Sequence, residues 1–215
     1  MADHIIGQWT FDETNGTVVH DSGPYGVDLT GTAGSFTWAS SELTISGTPL
    51  VASAQTPPLG LDIRGTGAAT LEAWVSPATT AQGTAHAAVV AGLDASINSR
   101  DVSLLQQGTK WIARFRNGAD QNGQVLTSAS DVTTAMTHLV ITFDGGAPHF
   151  YVNGVDEADG TPGGPSAWEA YKFVIANEPQ GNGPWTGTYA LVVLYDRALT
   201  SAEVTDNFAA GPSAL

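Results

Sequence analysis

Hydrophobic residues recur at every second position over most of this sequence. Across residues 137–144, Leu139, Ile141 and Phe143 fall on one face while His138, Thr142 and Asp144 fall on the other, which is the period of a strand. Asp144-Gly145-Gly146 supplies the backbone freedom for a tight turn, and residues 148–152 run back. Asn153-Gly154 then turns the chain into Val155-Asp156-Glu157, completing a three-stranded meander. The same reading places further strands at 5–11, 27–30, 43–46, 69–76, 87–91, 102–106, 111–116, 172–176 and 189–195. Residues 189–195 are apolar on both faces, which predicts a central strand. Gly, Pro and Asn turns separate strands that recur every ~10–15 residues, a pattern of stacked antiparallel sheets and not of βαβ units.

One segment reads as a helix. Thr200-Ser201-Ala202-Glu203 fits a capping box with Thr200 as N-cap, Val204 and Phe208 give it an apolar stripe, and Gly211-Pro212 ends it. Residues 77–84 and 160–165 are turn-rich surface loops between strands of like character. The whole of 1–215 therefore reads as a single domain.

Charge narrows the partners. Seven Lys and Arg against 21 Asp and Glu give a net charge of −14, with 25 Gly and 11 Pro in 215 residues. Nucleic acid and anionic membranes recruit clustered cations, so neither is expected as a partner. Hydrophobic residues make up 42% of the chain, enough for a core, so the acidity does not signal disorder. With no cysteine there is no disulfide, thiolate metal site or cysteine nucleophile. No apolar run is long enough for a transmembrane helix, so no membrane insertion is expected.

Four stretches carry a family resemblance: Trp9-Thr10-Phe11-Asp12-Glu13 with Asp21-Ser22-Gly23; Leu71-Glu72-Ala73-Trp74-Val75-Ser76-Pro77; His138 to Asp144 with Phe150-Tyr151-Val152-Asn153-Gly154; and Leu194-Tyr195-Asp196-Arg197-Ala198-Leu199-Thr200-Ser201-Ala202-Glu203. In this order and spacing the chain resembles the laminin-G-like jelly-roll domains of the concanavalin A-like lectin/glucanase superfamily. The resemblance implies an all-β fold, a two-sheet antiparallel jelly-roll sandwich with one short C-terminal helix. It also implies a glycan-binding (lectin-like) or adhesion module, extracellular or at the cell surface, within a larger multidomain protein. Met1-Ala2-Asp3-His4 has neither the basic nor the apolar region of a signal peptide, which fits a domain excised from such a parent chain.

The superfamily also contains enzymes, and the sequence is expected not to be one of them. Retaining glucanases need two carboxylates on one strand face. Glu157-Ala158-Asp159-Gly160-Thr161 offers Thr161 where the third acidic residue of such a strand belongs, with Gly160 and Pro162 bending the chain. Asp156, Glu157 and Asp159 are read as a solvated hairpin end. No compact set of Tyr or His with Arg suits a polysaccharide lyase.

The family often holds one structural Ca²⁺, a hard cation that takes oxygen ligands. Here the resemblance points to Asp21 and Asp28, with Asp12 beside them. The acidic residue usual in the closing strand is missing, because Ala190 and Leu191 stand there. The alternative is that Asp21 organises its own turn through backbone hydrogen bonds. For a ligand, a sandwich needs an aromatic platform or polar groups on one face. Trp9 and Trp74 are read as core, whereas Trp168 and Trp185 fall in loops and are candidates. Along 110–116, Lys110, Arg114 and Arg116 share a face opposite Trp111, Ala113 and Phe115, so Arg114 and Arg116 are candidates for an anionic or hydroxyl-rich glycan. A glycan and a surface protein are both open as partners, since a structural or protein-interaction domain shares every one of these features.

Overall fold

The computed structural model describes residues 4–52 and 57–213. Met1, Ala2 and Asp3, on which the reading of the chain's start rests, lie outside them. The chain begins with β1 (Ile5–Trp9), β2 (Val18–Val19), β3 (Leu29–Thr30), β4 (Phe36–Ala39), β5 (Glu42–Ser46) and β6 (Leu50–Ala52). Helix α1 (Pro57–Thr66) leads into β7 (Ala69–Pro77), β8 (Ala88–Ser96), β9 (Ser99–Gln107), β10 (Lys110–Phe115) and β11 (Gln124–Asp131). The meander β12 (Thr137–Phe143), β13 (His149–Val152) and β14 (Val155–Asp159) follows, then β15 (Lys172–Ile175), β16 (Thr186–Tyr195) and helix α2 (Ser201–Ala210).

Two antiparallel sheets result. The first runs β14-β13-β12-β7-β16-β5-β4, with β1 also pairing β16; the second runs β11-β10-β9-β8-β15-β6-β3-β2. β16 is central, as its apolar faces predict, and the capping box at Thr200 and Glu203 forms as read. Asn153 and Gly154 take φ of 51° and 76°, the left-handed pair that a tight hairpin turn requires.

The core fills the space between the sheets. Trp9 stacks on Phe173 at 4.3 Å, so residues from the chain's beginning and end lock the two layers together. Trp74 is buried too, but in a second cluster on the other face of the first sheet, with Val140, Leu191 and Val204 of α2. The first strand stops at Trp9, two residues before the predicted end. Phe11 turns to φ 53° and buries its ring 5.5 Å from Tyr189, so packing outweighs a backbone conformation unfavourable for an aromatic residue.

Helix α1 was not expected. Gly60 and Gly65 weaken its local preference, but Leu59 and Ile63, one turn apart, are both fully buried in the core. Tertiary burial supplies what propensity lacks.

Candidate functional site

Alternation along β10 sorts its side chains. Trp111, Ala113 and Phe115 enter the inter-sheet core, and Arg114 stands on the opposite face of the second sheet. Its Nη1 donates to the Asn122 carbonyl at 3.2 Å, while its Nε is buried without a partner. Arg100, from neighbouring β9, is only 2% exposed. One of its terminal nitrogens donates to the Ile97 carbonyl in the β8–β9 hairpin; Nε and Nη1 have no partner. These two guanidiniums line a recess of about 130 Å³ with His86, Asn98, Gln107 and Asn122, whose Oδ1 also lacks a partner.

The surroundings are electrostatically unresolved. Asp94 faces Arg100 in the β8–β9 register, but the two form no ion pair among the described residues. Burial pushes the Asp94 carboxyl up to about 6, against the opposing pull of Arg100 and a hydrogen bond from Ser103. Arg114 is held below its usual range by burial first and then by the like charge of Arg100.

Arg116 behaves differently from Arg114. Its side chain is buried, bonds Asp101 at 3.4 Å and the Gly118 carbonyl at 3.3 Å, and lies 3.8 Å from Glu169. Its own carbonyl accepts the Trp168 indole N–H at 2.7 Å. Arg116 is thus a clasp for the loop that carries Trp168 and offers no donor to a ligand.

The two loop tryptophans are not platforms. Trp168 is 1% exposed and packs on Phe115; Trp185 is fully buried, donates to Gln106 Oε1 at 2.9 Å and meets the Tyr189 ring edge-on. Loop tryptophans here plug the ends of the sandwich, where burying a large ring outweighs any local preference for the surface. The half-exposed indole is Trp38. It lines a rim recess with Asp12, Thr14, Ser40 and Ser41, a set that the sequence did not single out because β4 was not recognised.

The three aspartates read as calcium ligands do not converge. Asp21 is nearly buried, and its carboxylate accepts backbone N–H groups from Gln8, Gly23 and Val27, each at 2.7 Å. Three N–H groups bonded to one carboxylate take three of its roughly four lone-pair sites and direct it to its own turn. Asp28 accepts the Asp21 N–H and bonds His20 at 3.0 Å, and Asp12 lies at the separate rim recess beside Trp38. This arrangement does not fit calcium; it is the turn-organising alternative. Metal-ligating atoms do converge at one place among the described residues, where His149 Nδ1 lies 3.1 Å from Asp156 and 2.7 Å from Asp159 at the end of the meander. There the imidazole already bridges the two carboxylates.

Several comparisons bear on this sandwich. The laminin G-type model of the concanavalin A-like lectin/glucanases superfamily matches residues 46–205. The chain belongs to that superfamily. A search of curated proteins returned no match for this laminin G-like domain. Among solved structures it is similar to a Trypanosoma rangeli sialidase mutant displaying trans-sialidase activity, at TM-score 0.71 and 18% identity over 98% of this chain and 33% of that one. It is also similar to a botulinum neurotoxin type C structure described as depending on two ganglioside molecules for cell entry, at TM-score 0.73 and 9% identity, covering 97% of this chain and 51% of that one. The binding domain of botulinum neurotoxin DC in complex with rat synaptotagmin II gives TM-score 0.73 at 10% identity over 98% and 52%. The laminin G-like domain therefore spans about a third of the sialidases' length and about half of the toxin chains'.

At these identities the likeness is one of fold. It nevertheless overturns the expectation that this chain is not an enzyme. Sialidases carry the same sandwich over nearly all of this chain's length, so the fold serves enzymes and binding domains alike.

Proposed function

We propose that this laminin G-like domain recognises glycans, using the recess on the outer face of the second sheet around Arg114. One observation carries the reading: Arg100, Arg114 and Asn122, each with a buried polar atom that has no internal partner, line a single recess beside the exposed polar side chains of Asn98 and Gln107. Buried polar groups are normally satisfied, so a cluster of unsatisfied ones lining one recess calls for an ordered water, an ion or a ligand group there. Convergent donors and acceptors of this kind suit the hydroxyl-rich surface of a sugar. The ganglioside and sialidase associations of proteins with the same fold support a saccharide over other ligands of similar polarity. The family's habit of working outside the cell or at its surface, within longer chains, supports the same setting here.

The test is a glycan array probed with the purified chain in calcium and in EDTA. Saturable binding that Arg114→Ala abolishes and Trp38→Ala leaves intact supports this site. Binding lost only in Trp38→Ala moves it to the rim recess. An array blank under both conditions overturns the glycan reading in favour of a protein partner, the role illustrated by the synaptotagmin complex of the same fold.

A further inference from the structure

The recess around Arg114 has a charge problem that a neutral sugar does not solve. Arg100 is 2% exposed and two of its three guanidinium nitrogens have no hydrogen-bond partner. Arg114 adds a buried Nε without a partner, and neither arginine forms an ion pair among the described residues. Guanidinium N–H groups have no other state to adopt, because the group stays protonated in proteins. The acid nearest in register is Asp94. It is fully buried, one of its oxygens is taken by Ser103, and its other oxygen has no partner. Asp120 lies on the exposed side and already accepts the Asn122 N–H at 3.0 Å. Two guanidiniums therefore line one recess, and neither is ion-paired with Asp94 or Asp120.

We propose that this recess is an anion-binding subsite, in which Arg100 and Arg114 together clamp the negatively charged substituent, carboxylate or sulfate, of an acidic sugar residue. This rests on the glycan reading above and specifies its ligand class. Two guanidiniums lining one recess without an ion pair supply the charged donors that match the several acceptor lone pairs of such a substituent. Placing the anion between the arginines offsets their mutual repulsion, which is felt most strongly where water is excluded.

The rest of the molecule restricts the ligand further. With a net charge of −14, the surface repels a continuous polyanion. Screening at physiological salt confines that repulsion to about 8 Å, whereas the pair inside the recess is screened much less. The fitting ligand is a glycan bearing an isolated anionic residue, not a densely charged chain. Arg100 is the member of the pair that the sequence pattern did not single out, since the predicted strand began two residues after it.

The experiment is calorimetric titration with matched oligosaccharides: a uronic-acid-bearing oligosaccharide, its methyl ester, and a singly sulfated counterpart. The proposal expects the free acid or the sulfate to bind at least about tenfold more tightly than the ester, a difference equivalent to ~1.4 kcal/mol. Acid-only binding identifies a carboxylate subsite, and binding of both a general anion subsite. Arg114→Gln should remove the preference while Arg114→Lys, which keeps the charge, restores part of it; circular dichroism checks that both fold. Equal binding of acid and ester, or a preference unchanged in Arg114→Gln, overturns the anion subsite and leaves glycan recognition standing. No binding of any of the three, together with a blank glycan array, overturns both.

Discussion

Glu72 and His138 meet at 2.8 Å, carboxylate Oε1 to imidazole Nε2, with neither side chain exposed. They are diagonal neighbours across the β7–β12 ladder, since His138 pairs with Trp74 and Glu72 with Val140. The other carboxylate oxygen accepts the Tyr195 hydroxyl at 3.1 Å and the Asn207 amide of α2 at 3.0 Å. One buried carboxylate thus ties three strands and the C-terminal helix together.

Glu72→Leu should cost about 3–5 kcal/mol, because it leaves His138 and Tyr195 buried, and Asn207 half-buried, without their acceptor. Urea unfolding measures it. A loss below about 1 kcal/mol would show that the network contributes little.

The pH dependence of stability has two opposing parts. Burial raises Asp101 to about 7 and Asp94 to about 6, so between roughly pH 4 and 7 the native state binds more protons than the unfolded chain. Stability contributed by these two groups therefore falls as pH rises through that window. Glu203 has the opposite sign. Hydrogen bonds from Arg197 and then Thr200 hold it at about 2, so its contribution is present above its ordinary value of 4.5 and fades as pH falls towards 2. The melting temperature should therefore peak at about pH 4 and decline from there, and Asp101→Asn should flatten the decline towards pH 7. A profile rising steadily from pH 5 to 8 contradicts this assignment.

Calcium and EDTA should leave the melting temperature unchanged within about 1 °C, since the Asp21 carboxylate is already committed to three backbone N–H groups. Asp21→Ala should instead destabilise by at least about 2 kcal/mol in the presence or absence of calcium, through the orphaned donors. Differential scanning fluorimetry distinguishes these outcomes from a metal-linked loss.

Trp185→Ala should destabilise by about 3–5 kcal/mol and leave ligand affinity of the folded fraction unaltered, because the indole is interior. The β16 backbone is fitted to that ring: a Cβ at Gly187 would lie 2.3 Å from it, so Gly187→Ala should also unfold more readily. Chemical denaturation beside a binding assay separates the two effects.

Much of the sandwich was legible because its signals are local. Alternation marked the meander, the central strand β16 and the core tryptophans Trp9 and Trp74, and the spacing of Thr200 and Glu203 marked the last helix. The short strands β2, β4 and β6, the edge strand β11, which buries Leu126 and Ser128 but exposes Val125, and helix α1 with its two glycines were not legible. A two- to four-residue strand or a glycine-bearing helix has too few positions to display a period.

The candidate site divides along the same line. Which face of β10 carries Arg114 follows from the period of two, and the sequence alone determines it. That Arg116 is consumed by Asp101, that Trp185 reaches Gln106 seventy-nine positions away, and that Asp21 gathers the N–H of Gln8, were decided only by the tertiary structure. So was the meeting of Arg100 with Arg114. Local periodicity determines where a side chain points, but what it meets there depends on strand register and loop packing between segments distant in sequence.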